Sequence, residues 1–437
     1  MRLDYTLDQK VPFFKTVLFG IQWAAVLVPS IIILGEVAAR VHLLNASGQI
    51  HYLRVLFLVC GATLLCQIFW GHRLPLIPGP SAVLLIGLIA GQHAGNHAVY
   101  TSVMIGGLLL AILSVSGLFR LLRRLFTVNV ITVVLLLIAF ILPPTIVGLI
   151  IDGQTGVRSL YNLFFALGLT LLTFLFYGLL KGIWRSTLII WAAAAGVLLY
   201  YTAFPGDVKE LFALRNISSE SLLDHMTYTL SFEPGLILSF IFCFIALSVN
   251  DLGSIQSVNE LLETDFQEKR ISRGIFLTGL ANILSGFLGV IGPVNYSMSP
   301  GIIISTGCAS RFSVIPAAFI ALLLAFLPAA AGIIVMTPSV VIGALMAYLM
   351  GTQVASGLMI AIKNRADGFQ YEDALVIGAA VFLGLIAIFL PAHVISLLHP
   401  SLKPLMGNGL VVGVISAIIL EHLALKKRSA FSSRKSA

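Results

Sequence analysis

Apolar runs of roughly 18 or more residues recur from one end of the chain to the other, each long enough to cross about 30 Å of hydrocarbon as a helix. The pattern predicts helices near 12–34, 53–70, 98–118, 128–150, 159–180 and 184–204, then near 234–258, 273–290, 312–334, 338–361, 371–390 and 404–424. Two further stretches, 74–91 and 293–311, are too short and too interrupted to span. The polar segment 205–233 is the longest loop and divides the chain into two halves of seven elements each. The expected fold class is an all-α polytopic membrane protein with 14 transmembrane elements in a 7+7 inverted repeat, elements 3 and 10 being short extended runs that lead into half-helices.

These two interrupted elements echo one another. Element 3 reads Leu74-Pro-Leu-Ile-Pro-Gly-Pro-Ser-Ala-Val, and element 10 reads Pro293-Val-Asn-Tyr-Ser-Met-Ser-Pro-Gly. Gly79 precedes Pro80, and Ser299 precedes Pro300; proline suits a first helical turn, where its missing N–H is not needed. Broken backbone at membrane depth survives only where protein or a polar cavity satisfies it, and matched Pro/Gly breaks in two halves mark the midplane site of a transporter. Two half-helix N-termini facing one another, with Gly79, Ser81 and Ala82 on one and Ser299 and Gly301 on the other, would favour acceptors or anions.

Helix 8 adds polarity to this site. Its apolar run from Leu236 to Val249 covers about 21 Å at 1.5 Å per residue before Asn250-Asp-Leu-Gly-Ser. Asn250, Ser254 and Ser257 share one face, with Asp251 beside them. Glu36, Glu233, Glu372 and Glu421 are placed in loops or at helix ends, which leaves Asp251 as the carboxylate in a membrane-depth polar cluster, a functional candidate by position.

Composition agrees with the periodicity. Of 437 residues 59% are hydrophobic and only 10% charged, with mean hydropathy +1.03, far from the quarter or so of charged residues usual in soluble domains. The first ten residues are polar and no signal-peptide cleavage site follows them. With both termini cytoplasmic, 20 of the 26 Lys and Arg residues fall on that side; only Arg40, Arg54, Arg158, Lys209, Arg215 and Lys403 fall on the other. The net charge of +8 is thus a topology signal, and no nucleic-acid partner is expected. Cys60, Cys66, Cys243 and Cys308 lie in apolar segments without metal-ligand spacing, so neither a metal nor a cofactor is expected. No nucleophile–base pair, His-x-x-x-His or Gly-x-Ser-x-Gly occurs at depth, so the chain is not expected to be an enzyme.

Several passages, in order and across essentially the whole length, resemble the nucleobase–ascorbate transporter family, also called the xanthine/uracil permeases or nucleobase:cation symporter-2. They are Phe19-Gly-Ile-Gln-Trp, Arg73-Leu-Pro-Leu-Ile-Pro-Gly-Pro-Ser, Leu125-Phe-Thr-Val-Asn-Val, Arg273-Gly, Asn282-Ile-Leu-Ser-Gly-Phe-Leu-Gly, and Gly301…Thr306-Gly…Arg311. The last is similar to the second part of the family signature, Gln-Asn-x-Gly-x-x-x-x-Thr-Gly. The resemblance implies a core domain from 1–127 and 234–334, a gate domain from 128–204 and 335–424, a periplasmic loop at 205–233 and a cytoplasmic tail at 425–437. It also implies a homodimer in the plasma membrane, surrounded by lipid, in which the core moves against the gate as an elevator, driven by protons or sodium.

Departures fall where the family reads its substrate. The helix-8 glutamate of the family aligns with Asn250 and the residue after its glycine with Ser254; the signature's Gln or Glu and Asn align with Met298 and Ser299, and the helix-1 His with Trp23. Asn250 can donate to and accept from a heterocycle edge, Trp23 and Tyr296 can stack on a planar ring, and Asp251 is the candidate coupling residue. The expected function is secondary active transport of a nucleobase or related purine or pyrimidine of xanthine, urate or uracil type. The alternative is anion transport on the related sulphate-permease architecture.

Overall fold

The computed structural model describes residues 3–116, 125–151, 155–206, 221–224, 226–265, 267–363, 368–399 and 401–425. The tail beyond 425 and most of the 205–233 loop, both named above, lie outside the described residues.

The protein is an all-helical membrane protein. Among the described residues eight helices are long and apolar enough to cross a bilayer, or nine if one bent pair is a single span. In chain order α1 is Phe13–Val41, α2 Ala46–Phe69, β1 Pro78–Pro80, α3 Ala82–Gly91 and α4 Asn96–Ser116. Then follow α5 Val128–Ile141, α6 Pro143–Ile151, α7 Val157–Leu179 and α8 Leu188–Ala203. The second half contributes α9 Pro234–Leu262, α10 Gln267–Phe287, β2 Pro293–Asn295, α11 Ser299–Thr306, α12 Ile315–Phe326 and α13 Pro328–Val335. It closes with α14 Ser339–Lys363, α15 Tyr371–Ile388 and α16 Gly409–Ile419.

The segment expected as one helix at 312–334 is two. The α12 and α13 axes differ by 89°, because Pro328 has no N–H to continue the ladder and keeps Leu327 out of helical backbone. The last element breaks as well: Asn408 ends one turn and caps α16, accepting from the N–H groups of Leu410 and Val411.

Helices α1, α2, α4, α9, α10 and α12 pack chiefly on one another, as do α5–α8 with α14–α16. The α4–α10 crossing is tight. A Cβ on Gly279 would stand 2.7 Å from the Ala111 backbone nitrogen, and one on Gly107 2.8 Å from the Gly279 carbonyl oxygen, so small residues let two backbones touch where burial of apolar area gives no gain over lipid. On the other group, α7 leaves Leu160, Phe164, Leu167, Leu171 and Leu175 exposed along one stripe, as a lipid-facing helix does. Asn408, buried in the seam, donates to Ser239 Oγ on α9 at 3.0 Å and ties the two groups together.

The polar N-terminus is a strap. Asp4 N–H donates to the Gly307 carbonyl, Ala309 and Arg311 N–H groups donate back to Tyr5 and Leu7, and Ser310 Oγ donates to the Gln9 carbonyl. An Asp8–Arg311 ion pair at 2.8 Å closes it. One carboxylate is also deeper than its sequence position suggested. Glu36, expected at a helix end, lies within α1 and is fully buried, its nearest cation being Arg40 at 3.9 Å.

Candidate substrate site

The two interrupted elements meet. β1 and β2 pair antiparallel, Pro78 opposite Asn295, Gly79 opposite Val294 and Pro80 opposite Pro293. The Tyr296 N–H donates to the Ile77 carbonyl and the Ser81 N–H to the Gly292 carbonyl, extending the ladder beyond both ends. Prolines are tolerated here because the pair is a two-stranded ribbon with edges on both sides. From it the two half-helices, α3 and α11, depart.

Their N-termini differ. The first turn of α3 is capped by Ser81, whose Oγ accepts from the Leu84 N–H at 3.4 Å. No side chain caps α11, which begins after Met298 with proline in its first turn. The Ser299 hydroxyl instead donates to the Tyr296 carbonyl and accepts from the Ile77 N–H. The open, partially positive helix end is therefore that of α11.

Beneath the ribbon lies a buried polar network. Asp251, on α9, is fully buried. Its Oδ1 accepts from the Asn295 N–H at 3.0 Å and from Asn295 Nδ2 at 2.6 Å; its Oδ2 accepts from Thr278 Oγ1 on α10 at 2.8 Å. Ser254 Oγ donates to the Asn295 carbonyl at 2.8 Å. Asn282 Nδ2 donates to the Pro293 carbonyl at 3.0 Å, and Gln67 Nε2 reaches Thr278 Oγ1 at 3.2 Å and the Gly274 carbonyl at 2.8 Å. Buried polar groups need such partners, and here they pin β2 to α9 and α10.

The predicted residues thus separate. Asn250 is half-buried, and Met298 is 39% exposed. Gly253 and Gly301 are exposed, with no atom within 4 Å of where a Cβ would stand on either. Ala82 is half-buried on the first turn of α3. Open space thus lies beside Gly253 on α9 and Gly301 on α11, two elements that pack on each other. Ser81, Asp251, Ser254 and Ser299 are buried, as is Gly79 within the ribbon. Tyr296 is a strut, its ring over Gly79 and its hydroxyl donating to the Pro80 carbonyl at 2.9 Å. Trp23 is 1% exposed, its Nε1 donating to Ser313 Oγ at 3.1 Å, so both aromatics are engaged in packing. Asn295 and Thr278 were not singled out by sequence reasoning. The signal for Asn295 was an amide in the short extended run of element 10, and for Thr278 its i, i+4 pairing with Asn282 on α10.

A family profile for the xanthine/uracil permeases, described as "Permease family", matches residues 14–393. The chain belongs to this family. As a member it is a transporter and not an enzyme. Among similar permeases, the nucleobase transporter PlUacP of Paenibacillus larvae is 28% identical over 417 residues, covering 94% of each chain. The uric acid permease PucK of Bacillus subtilis is 27% identical over 385 residues, 86% of this chain and 88% of that one. The xanthine permease of Bacillus subtilis is 24% identical over 93% of both. Among solved structures, the transmembrane domain of a cyanobacterial bicarbonate transporter, BicA, superposes with TM-score 0.62 at 16% identity, over 94% of this chain and all of that one. The anion transporter SLC26A9 gives 0.60 at 15% identity, over 93% of this permease and 65% of that chain. These two likenesses are of fold.

Proposed function

We propose that this permease carries a nucleobase or related purine or pyrimidine across the membrane, binding it between Asn250 on α9 and the uncapped first turn of α11. Full-length similarity to relatives named for nucleobases, xanthine and uric acid supports the substrate class. The carrying observation is the open space beside Gly253 and Gly301, bordered by an amide that both donates and accepts and by a positive helix end. With Asn250 and Met298 where the family has acidic or longer amide side chains, an anionic or acceptor-rich ring such as xanthine or urate suits the site better than neutral uracil.

Asp251 is the proposed coupling residue, through a proton. Thr278 has one hydroxyl hydrogen and two acceptors, Asp251 Oδ2 at 2.8 Å and the Gly274 carbonyl at 3.1 Å. With Asp251 ionised, Thr278 donates to it. With Asp251 protonated, the acid donates to Thr278, which donates to Gly274. Both states are satisfied without moving a heavy atom. His72, which is buried, faces the Asn295 side chain; α3 and α11 carry no titratable group.

The 14-element inverted repeat, cytoplasmic termini, elevator motion of the α1–α4 and α9–α13 group, and a homodimer through the other group complete the proposal. The positive-inside bias supports the cytoplasmic termini and the antiparallel pairing of β1 with β2 supports the inverted repeat; the elevator motion and the homodimer follow from the family resemblance. Proteoliposome uptake of labelled uracil, xanthine and urate tests the substrate class. Gly301→Val and Gly253→Ala have room, so they should leave thermal stability unchanged and raise KM for the transported base. Uptake of bicarbonate or sulphate with no response to any base would establish the anion reading instead. Asp251→Asn is expected to abolish pH-dependent accumulation; uptake equal to the parent at every pH and sodium concentration sinks the coupling role.

A further inference from the structure

On the face of the molecule that carries the N-terminal strap, Arg73, Lys269, Arg270 and Arg273 converge with Gly71 around a cleft of about 260 Å³. This lies outside the substrate site and no step above uses it. Arg270 is within electrostatic reach of Arg73, Arg273 and Arg311, so the cleft gathers like charges whose mutual repulsion opposes their placement. Asp8, the nearby acid, is engaged with Arg311 at 2.8 Å. Neither it, Asp265 nor Glu268 lines the cleft.

The repulsion is compounded by the backbone. Lys269, Arg270 and Arg273 all sit in the first two turns of α10, where the helix end is already positive and cations are disfavoured. Arg73 occupies left-handed backbone, φ 57°, a conformation disfavoured for a residue with a Cβ. It is held there on both sides: its Nε donates to the Phe69 carbonyl at 3.0 Å, and its own carbonyl accepts from Arg270 Nη1 at 3.1 Å. Arg270 Nη1 also donates to the His72 carbonyl at 3.0 Å. Each guanidinium has five N–H groups, so these bonds fix the heads and leave donors over.

The depth of the cleft is marked by Trp70, exposed just past the end of α2; tryptophan at a span terminus lies at headgroup level. We propose that this cleft binds a phosphate group, that of an anionic lipid headgroup or of a soluble phosphate. Fixed guanidinium forks match phosphate oxygens in pairs, and basic clefts between transmembrane helices take acidic headgroups. The 71–77 turn joins the cleft directly to β1, so an anion held there braces the strand that organises the substrate site.

The purified full chain tests this. Thermal stability is measured in phosphatidylcholine nanodiscs with and without phosphatidylglycerol, and in neutral detergent with and without inorganic phosphate or pyrophosphate. The variants are Arg273→Gln alone, Arg73→Gln with Arg273→Gln, and Lys181→Gln, an exposed cation elsewhere. Stabilisation by phosphatidylglycerol that falls about thirtyfold in apparent affinity in the double variant, and survives in Lys181→Gln, assigns a lipid phosphate. The same pattern with pyrophosphate or phosphate in detergent assigns a soluble one. Identical responses of parent and double variant to every anion overturn the proposal. Arg273→Gln, whose side chain makes no structural bond described here, keeps the test valid if the double variant does not fold. The readout is binding, so it stands or falls separately from uptake of any nucleobase.

Discussion

Asn295 spends its backbone N–H, its backbone carbonyl and its side-chain amide on a single helix, α9. Asn295→Ala deletes one of three donors to a buried carboxylate, a loss of about 1–3 kcal/mol, and should appear as a lowered melting temperature with a monodisperse chromatographic profile. Asn295→Asp sets a second carboxylate against Asp251 where an N–H now stands at 2.6 Å. Two buried like charges at that distance cannot both ionise, and folded yield should drop sharply. Tyr296→Phe removes the hydroxyl bond to Pro80 but keeps the ring on Gly79, a loss of about 1 kcal/mol. Gly79→Ala drives a methyl into that same ring and should be the more damaging of the two in a thermal-shift comparison. Sequence reasoning reached Asp251 through its depth in an apolar helix, yet gave no sign of which way its carboxylate faced. Orientation depended on Asn295 and Thr278, residues 44 and 27 positions away, and no local periodicity encodes that.

At the scale of elements, what hydropathy measures came through clearly, and what backbone chemistry decides came through in part. The broken elements at 74–91 and 293–311 were legible because proline and glycine interrupt apolar runs at matched places in two halves. The bend between α12 and α13 was not, although Pro328 caused it, since proline also occurs inside unbroken α1 at Pro29. The α4–α10 crossing was equally silent, because Gly107 and Gly279 read as ordinary small residues until two backbones are brought together. Gly279→Leu needs several ångströms that the 2.7 Å approach to Ala111 does not offer. It should abolish the monodisperse peak in fluorescence-detected chromatography, whereas the same change at Gly168, which has open space around it, should leave the peak intact.

For the whole molecule, the strap joins the first residues of the chain to the far end of α11. Most of its bonds are between backbones, so side-chain changes should matter little. Asp8 is 65% exposed in its pair with Arg311, and exposed pairs contribute about 0–1 kcal/mol; Asp8→Asn should leave the melting temperature within a degree or so. Deleting 4–9 removes the carbonyls of Tyr5, Leu7 and Gln9 together and should lower it measurably.

The pairing of β1 with β2 also sets a clock for synthesis. The strands are about 215 residues apart, which at about 5–20 residues per second separates their appearance by roughly 10–40 s. Throughout that interval β1 has no partner for its edge, and hydrocarbon offers none. The first half of the site must therefore wait beside water, or beside a helper at the insertion machinery, until Pro293–Asn295 emerges.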